Sequence, residues 1–482
     1  MLIGLFSPFY LSVLSFVRSF SFIWASFSLF FGLSLWQQTG SASAHTTVYN
    51  WGLLTQLKQG LRLTVATDTL LKPMLKTTPK TTSVVIIAPP DTSFFARLVP
   101  ILPDPRYHKD YKTFVISTGA ERTELYADEL KNLRVGLVVN QTSRIGRRHL
   151  VDTLMARGIN VTAIFAPEHG FRGDMDAGAD VQNNTTTDHI PIYSLYGKSN
   201  KPTAEQLAKV DIVLFDVQDV GARFYTYLST LYLVMQACAE QGKPLIVLDR
   251  PNPNGHFVDG PIIREQYKSF VGKIPVPIVH GCTLGEIAKM INGENWAGIN
   301  CKLVVVPCQN YTHNSVYAPQ VKPSPNLPNL KSIYLYPSLC LFEGTCVSVG
   351  RGTSTPFQCF GHPDNPTGSY AFMPMPNDAN KQPLLMGRTC IGETLNSLSD
   401  TDIRKKYAHL DLNPLIDFYK RFPDKAHFFR HDGFFYNLVG NNTVKTMIEQ
   451  GKTADEISAT WQTEVADYKV KRKKYLLYDD FE

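Results

Sequence analysis

The stretch "AIFAPEHGFRGDMDAG", residues 163–178, begins as an apolar run and then sets an ionisable pair, Glu168 and His169, between Pro167 and Gly170. Glutamate is a poor helix cap, and Gly170 and Gly173 leave the backbone beside it open to close approach by a ligand. A carboxyl there suits proton transfer more than turn-making. Other segments carry related chemistry: "NQTS" at Asn140–Ser143, "FDVQDVGARFY" with Asp216, Asp219, Arg223 and Tyr225, and "LDRPNPNG" with Asp249, Arg250, Asn252 and Asn254. Farther on, Glu343 in "FEGT" and Arg351 in "GRGT" sit in glycine-flanked turns. Several carboxylates offer a general acid and a partner for it, and arginines offer two-pronged recognition of anions. For Asp216, Asp249 or Asn254 alone, capping a helix or fixing a turn is the competing role.

These residues share a place in the pattern. "RVGLVVN" (134–140), "NVTAIFAP" (160–167), "DIVLFDV" (211–217) and "PLIVLDR" (244–250) are short apolar runs without polar alternation, as in strands buried on both faces. Helical patterns separate them: "RRHLVDTLMARG", "TAEQLAKV" with Thr203 as cap, and "YTYLSTLYLVMQACAEQG". Alternation of this kind predicts an α/β fold, a Rossmann-like parallel sheet, over 111–312, followed by a smaller α+β domain over 313–482 that completes the cleft. Ligands of such sheets bind outside the carboxyl ends of the strands. The four clusters fall at those ends, so the expectation is that all four meet in one crevice. Beyond 310 the alternation fades. The Pro-, Gly- and Ser-rich stretch 321–358 reads as a long ordered connection that carries function, not as a core element. Near the end, Thr453 and Glu456 make a capping box for a helix with Ile457, Trp461, Val465 and Tyr468 on one face. The basic run "KVKRKK" (469–474) reads as its solvated end.

Composition removes other classes. The chain of 482 residues carries a formal +6, but residues 1–110 hold nine Lys/Arg against four Asp, so the body is close to neutral and no nucleic-acid partner is expected. The opening "MLIGLFSPFYLSVLSFVRSFSFIWASFSLFFGLSLW" with "SASA" at 41–44 reads as a signal peptide or membrane leader over 1–44, and 45–110 as a tether or the product of a start assigned too far upstream. A periplasmic or extracellular protein is expected, touching a membrane only through that leader if it is retained. The eight cysteines lie between Cys238 and Cys390 without a CxxC pair, so neither a zinc site nor any other metal is expected. The missing GxGxxG and GxxxxGK[ST] leave no cofactor in view. "DMDAGAD", with Asp174, Asp176 and Asp180, departs from a calcium loop because Thr185 stands where a bidentate Glu is needed.

"GLVVNQTS", "FAPEHGFRGD", "FDVQDVGARFYTY", "VLDRPNPNG", "VDGP", "VHGCTLGE", "KPSPNLPN", "YPSLCLFEGT" and "GRGT", in this order from about Thr113 to Tyr478, resemble the exo-β-N-acetylmuramidase (NamZ-like) family of glycoside hydrolases. The resemblance implies release of N-acetylmuramic acid (MurNAc) from non-reducing ends of peptidoglycan fragments, from muropeptides or the MurNAc-GlcNAc disaccharide. It also implies a catalytic role for Glu168. For the second catalytic role the order of preference is Asp219, Asp216, then Glu343, with the substrate's acetamido group as an alternative. The lactyl carboxylate of MurNAc calls for a cation among Arg172, Arg223, Arg250 and Arg351, with Arg223 preferred. Asn140, His169, Tyr225, Asp249 and Asn254 complete the expected substrate contacts. His169 packed beneath its loop and Tyr225 packed in a helix core are their competing readings. Cys346 stands where the family pattern suggests a small polar residue such as Asn. A non-catalytic cell-wall sugar binder is the alternative from another class. An esterase or amidase lacks a GxSxG elbow.

Overall fold

A computed structural model describes residues 115–172, 184–186 and 189–482. The leader, the tether and the Asp174, Asp176 and Asp180 loop lie outside these residues.

Twelve strands are present among them: β1 Arg134–Val139, β2 Arg144–Ile145, β3 Arg148–His149, β4 Asn160–Ala166, β5 Asn184–Thr185, β6 Pro191–Ser194, β7 Ile212–Asp216, β8 Leu245–Leu248, β9 Leu303–Val306, β10 Cys359–His362, β11 Tyr370–Phe372 and β12 Cys390–Thr394. Six of them form a parallel sheet in the order β6-β4-β1-β7-β8-β9, with β5 antiparallel at its edge. The chain runs outward from β1 in one direction and then restarts at β7 in the other, so the order reverses between these two strands. In a doubly wound sheet that reversal opens the crevice.

The absence of polar alternation has a simple cause. Successive side chains of a strand point to opposite faces, and here both faces are apolar. Leu137, Val139, Leu214, Ile246 and Val306 enter one core, while Val138, Val213, Phe215, Val247 and Val305 enter the other. The crossovers are α1 Leu150–Ala156, α2 Ala204–Leu207, α3 Tyr227–Glu240 and α4 Leu284–Gly293. Thr203 caps α2 as expected, its hydroxyl accepting from Gln206 N.

The Pro- and Gly-rich stretch differs from expectation in one respect. It contains α5, Leu330–Leu339, started by an Asn329–Ser332 capping box and buried from Ser332 onward. Beyond it lie the antiparallel sheet β10-β12-β11 and helices α6 Asp400–Lys406, α7 Asn413–Arg421, α8 Phe434–Val439, α9 Thr443–Glu449, α10 Ala454–Ser458 and α11 Gln462–Arg472. One apolar cluster runs without a break from Phe215 under the sheet to Phe418 and Trp461, so the smaller part shares its core with the larger one.

The closing helix has the predicted cap, with Glu456 N donating to Thr453 Oγ1 at 3.2 Å, and all four apolar positions are buried. A 3-10 turn at Ala459–Trp461 separates α10 from α11. The basic run is solvated at Val470, Lys473 and Lys474, as expected, with one exception: Arg472 is fully buried and donates to Gly281 O and to both oxygens of Asp480. It fastens the chain end to the sheet domain. None of the eight cysteines is in a disulfide.

Candidate active site

The carboxyl end of β4 turns at once. Gly170 N donates to Pro167 O at 3.0 Å, closing a four-residue turn with Glu168 and His169 at its centre. His169 has φ 71 and Gly170 φ 76. The left-handed conformation is costly for a side chain larger than glycine, and such strain persists where surrounding contacts impose it. His169 is buried and Glu168 is partly open.

Glu168 is oriented from α3. Thr226 stands at the N-cap of that helix but makes no side-chain cap hydrogen bond; its Oγ1 donates to Glu168 Oε2 at 2.5 Å. A Thr cap is worth about 1 kcal/mol, and here that contribution is given up for the glutamate. Beneath the turn, Tyr227 OH lies 3.4 Å from Glu168 O and accepts from Asn140 Nδ2 at 2.9 Å. Asn140 therefore reaches the loop through Tyr227 and does not face the cavity.

Glu168 and His169 open onto a cleft of about 490 Å³, within the range of small-molecule sites. The sheet side contributes Phe224, Tyr225 and Thr226 as well. The other wall comes from the 321–358 stretch, through Ser324, Asn326, Tyr336, Glu343, Val347–Val349, Arg351 and Phe357, joined by Arg430. Tyr336 is the centre of an edge-to-face aromatic cluster, its ring 5.8 Å from Tyr225, 5.4 Å from Phe224 and 5.0 Å from Phe357. Such a surface suits the apolar face of a sugar ring. The expected stacking residue Tyr225 lies on it.

Across the cleft, Arg351 Nε donates to Glu343 Oε1 at 2.5 Å, and the Arg351 guanidinium lies 5.1 Å from the Phe357 ring centroid. Burial opposes the Arg351 charge, but the Glu343 carboxylate outweighs it and raises the guanidinium further above its ordinary range. Of the expected residues, Glu168, His169, Tyr225, Glu343 and Arg351 therefore share one cavity.

The others are turned elsewhere, which corrects the expectation that four strand ends meet in the cleft. Asp216 is fully buried against Arg250, with Nε–Oδ1 at 2.6 Å and Nη2–Oδ2 at 2.9 Å. Asp249 accepts from Thr283 Oγ1, Gly285 N and Tyr478 OH, joining the start of α4 to the chain end. Asn254 Nδ2 donates to Val220 O and Ile333 O. Arg223 spends its guanidinium on four backbone carbonyls. Arg172 is exposed, its guanidinium 4.6 Å from the Phe171 ring centroid, and is not on the cavity wall. Cys346 is not on the wall either. Strand-end position alone does not separate a side chain facing the crevice from one serving the turn below. Thr226, Tyr336 and Phe357 were missed; the available signal was "YTY" around Thr226, "YPSLCLFEGT" opening on Tyr336, and the stretch just after "GRGT" for Phe357.

Asp219 is also off the wall. Its Oδ1 accepts from Gly221 N at 2.6 Å, while Oδ2 has no partner among the described residues. Burial pushes its carboxyl up to about 7, against backbone hydrogen bonds from Gly221 and Val220. Because the folded value lies above the unfolded one, near 3.9, the contribution of Asp219 to stability is fully present below pH 4 and is lost as pH climbs to about 7. Asp219→Asn keeps an acceptor for Gly221 and cannot ionise. The variant is expected to flatten that fall and to gain roughly 3 kcal/mol over the parent at pH 8. Urea midpoints at pH 5 and pH 8 check this, and parallel losses in both proteins would refute it.

Comparison with known proteins follows the same outline. The family model described as exo-beta-N-acetylmuramidase NamZ, N-terminal, matches residues 135–331, and its C-terminal counterpart matches 334–478. The peptidoglycan beta-N-acetylmuramidase NamZ of Bacillus subtilis is 37% identical over 376 residues, covering 73% of this chain and 89% of that protein. Two crystal structures of DUF1343 family proteins from Bacteroides fragilis are similar. One has TM-score 0.70 at 48% identity and covers 76% of this chain and all of its own. The other has TM-score 0.62 at 28% identity, covering 76% of this chain and 99% of its own. With both halves of the family model matched and a glutamate held at the carboxyl edge of the sheet, this chain belongs to the exo-β-N-acetylmuramidase NamZ family.

Proposed function

We propose that this chain is an exo-acting glycoside hydrolase that releases N-acetylmuramic acid from the non-reducing ends of peptidoglycan fragments. The observation that carries the reading is Glu168, held by Thr226 on the wall of a sugar-sized cleft, in a chain 37% identical to a peptidoglycan muramidase. In the mechanism we infer, Glu168 protonates the departing glycosidic oxygen as the anomeric centre becomes oxocarbenium-like.

A second group must stabilise that centre. Among the described residues the other carboxylate on the wall is Glu343, and it is committed to Arg351. This favours participation by the substrate's own acetamido carbonyl, with retention at the anomeric carbon. The apolar opening segment and the small residues at 41–44 support export, with substrate met in the periplasm or outside the cell.

Incubation with MurNAc-GlcNAc tests the reading. MurNAc should be released, and NMR of the first product should show the β-anomer. Sugar binding without release would favour the non-catalytic binder, and the α-anomer first would replace the acetamido route by direct attack of water.

A further inference from the structure

MurNAc differs from GlcNAc by one lactyl ether, so an enzyme that selects MurNAc must read a carboxylate. We propose that Arg351, pinned by Glu343 and stacked on Phe357, is the receptor for that carboxylate and sets specificity; the proposal rests on the muramidase reading of the same cleft.

Two cations lie on the cavity wall among the described residues, Arg351 and Arg430. Arg430 directs Nε and Nη2 to Asp432 Oδ2, and its side chain is 49% exposed. Its fork is occupied by a neighbour on its own loop. Arg351 is different: its side chain is 22% exposed, and Nε alone is spent, on Glu343. The Nη1 and Nη2 nitrogens make no hydrogen bond to a described residue and are not sealed from the cavity. This is the edge that takes a carboxylate with two parallel bonds.

The rest of the motif holds the edge still. Glu343 is held at its other oxygen by Cys340 Sγ at 3.3 Å, and Phe357 backs the guanidinium plane. Gly350 and Gly352 flank Arg351 with φ 75 and 80. A Cβ on Gly350 would come within 2.6 Å of Cys359 Sγ, and one on Gly352 within 2.6 Å of Met375 O. Space and backbone conformation thus exclude a side chain at either neighbour of Arg351 in "GRGT". Glu343 has a further effect: it balances the guanidinium, which as an unpaired, largely buried cation would be costly. Glu343 is then a positioning residue and not a second catalytic carboxylate.

The test is calorimetric binding of three methyl β-glycosides, of MurNAc, of its lactyl amide and of GlcNAc, to the full chain. The parent should prefer MurNAc over both others by roughly thirty- to a hundredfold, as expected for a charge-assisted pair of hydrogen bonds. Arg351→Met should close that gap to within about threefold while leaving the GlcNAc and amide affinities in place. Because this variant strands Glu343, the double variant Glu343→Gln/Arg351→Met is run beside it, with thermal melts to establish that both are folded. Glu343→Gln alone should raise KM for MurNAc-GlcNAc more than it lowers kcat. The proposal is overturned if the parent shows no preference, if the gap survives Arg351→Met, or if all three affinities fall together. A closed gap in a chain that releases no MurNAc would leave the receptor standing and remove the hydrolase reading. Turnover with a surviving gap would do the reverse.

Discussion

Glu168→Gln should lower MurNAc release from MurNAc-GlcNAc by about a thousandfold while leaving the melting temperature nearly unchanged. The magnitude is that of general acid catalysis for a leaving alkoxide that cannot depart unprotonated. The stability expectation follows from the contacts. Glutamine has the same shape, and its carbonyl oxygen can accept from Thr226 Oγ1 as Glu168 Oε2 does at 2.5 Å. A diagnostic separates acid catalysis from other roles of the same side chain. With a 2,4-dinitrophenyl leaving group, which departs without protonation, the variant should recover to within about tenfold of the parent if the lost function is proton donation. An equal deficit on both substrates would instead make Glu168 a binding or nucleophilic group and would end the acid assignment. A lowered melting temperature would point to the strained turn, where His169 at φ 71 is held by its surroundings, and not to chemistry.

What the sequence made legible, and what it hid, divides along the reach of each signal. Strand runs, crossover helices and the caps at Thr203 and Thr453 are local, because burial on both faces and capping chemistry are written within a few residues. Glu168 was legible because glutamate at a strand end has few structural uses. Asp216, Asp249 and Asn254 have several, and the structure uses them for an ion pair with Arg250, a hub for Thr283 and Tyr478, and a tie to Ile333. Those partners lie from 34 to 229 residues away in sequence, so nothing near each residue reveals which way it faces. The far wall was harder still. Glu343 and Arg351 were visible as charged residues in glycine-flanked turns, but their mutual bond depends on how the chain leaves α5. Arg472 shows the converse: a basic run that looks solvated can contain one arginine buried by the return of its own chain end.

Arg223→Met should cost about 4 kcal/mol of stability, lowering the melting temperature by roughly 5–10 °C, and should leave KM for MurNAc-GlcNAc close to that of the parent wherever the variant is folded. From sequence, this arginine is the preferred partner for the lactyl carboxylate. Its position argues otherwise. The side chain is fully buried, with Nη1 donating to Pro261 O at 2.6 Å and Val276 O at 2.9 Å, and Nη2 to Leu438 O at 2.9 Å and Val439 O at 2.7 Å. Leu438 and Val439 are the last residues of α8, whose terminal carbonyls have no partners within the helix and carry the negative end of its dipole. A cation from the loop after β7 thus caps a helix of the smaller part and ties it to the sheet domain. Gly440 allows the approach, since a Cβ there would lie 2.8 Å from Arg223 Nη2. Methionine fills much of the stem volume, so the loss measured would be mainly the four stranded carbonyls, each worth about 1 kcal/mol or more. Lysine keeps the charge but offers three donors from one point, and should recover part of the loss. A raised KM with an unchanged melting temperature would reverse the assignment and return Arg223 to the substrate. The expected pattern instead makes it the joint that keeps the Glu168 wall and the Arg351 wall facing one cavity.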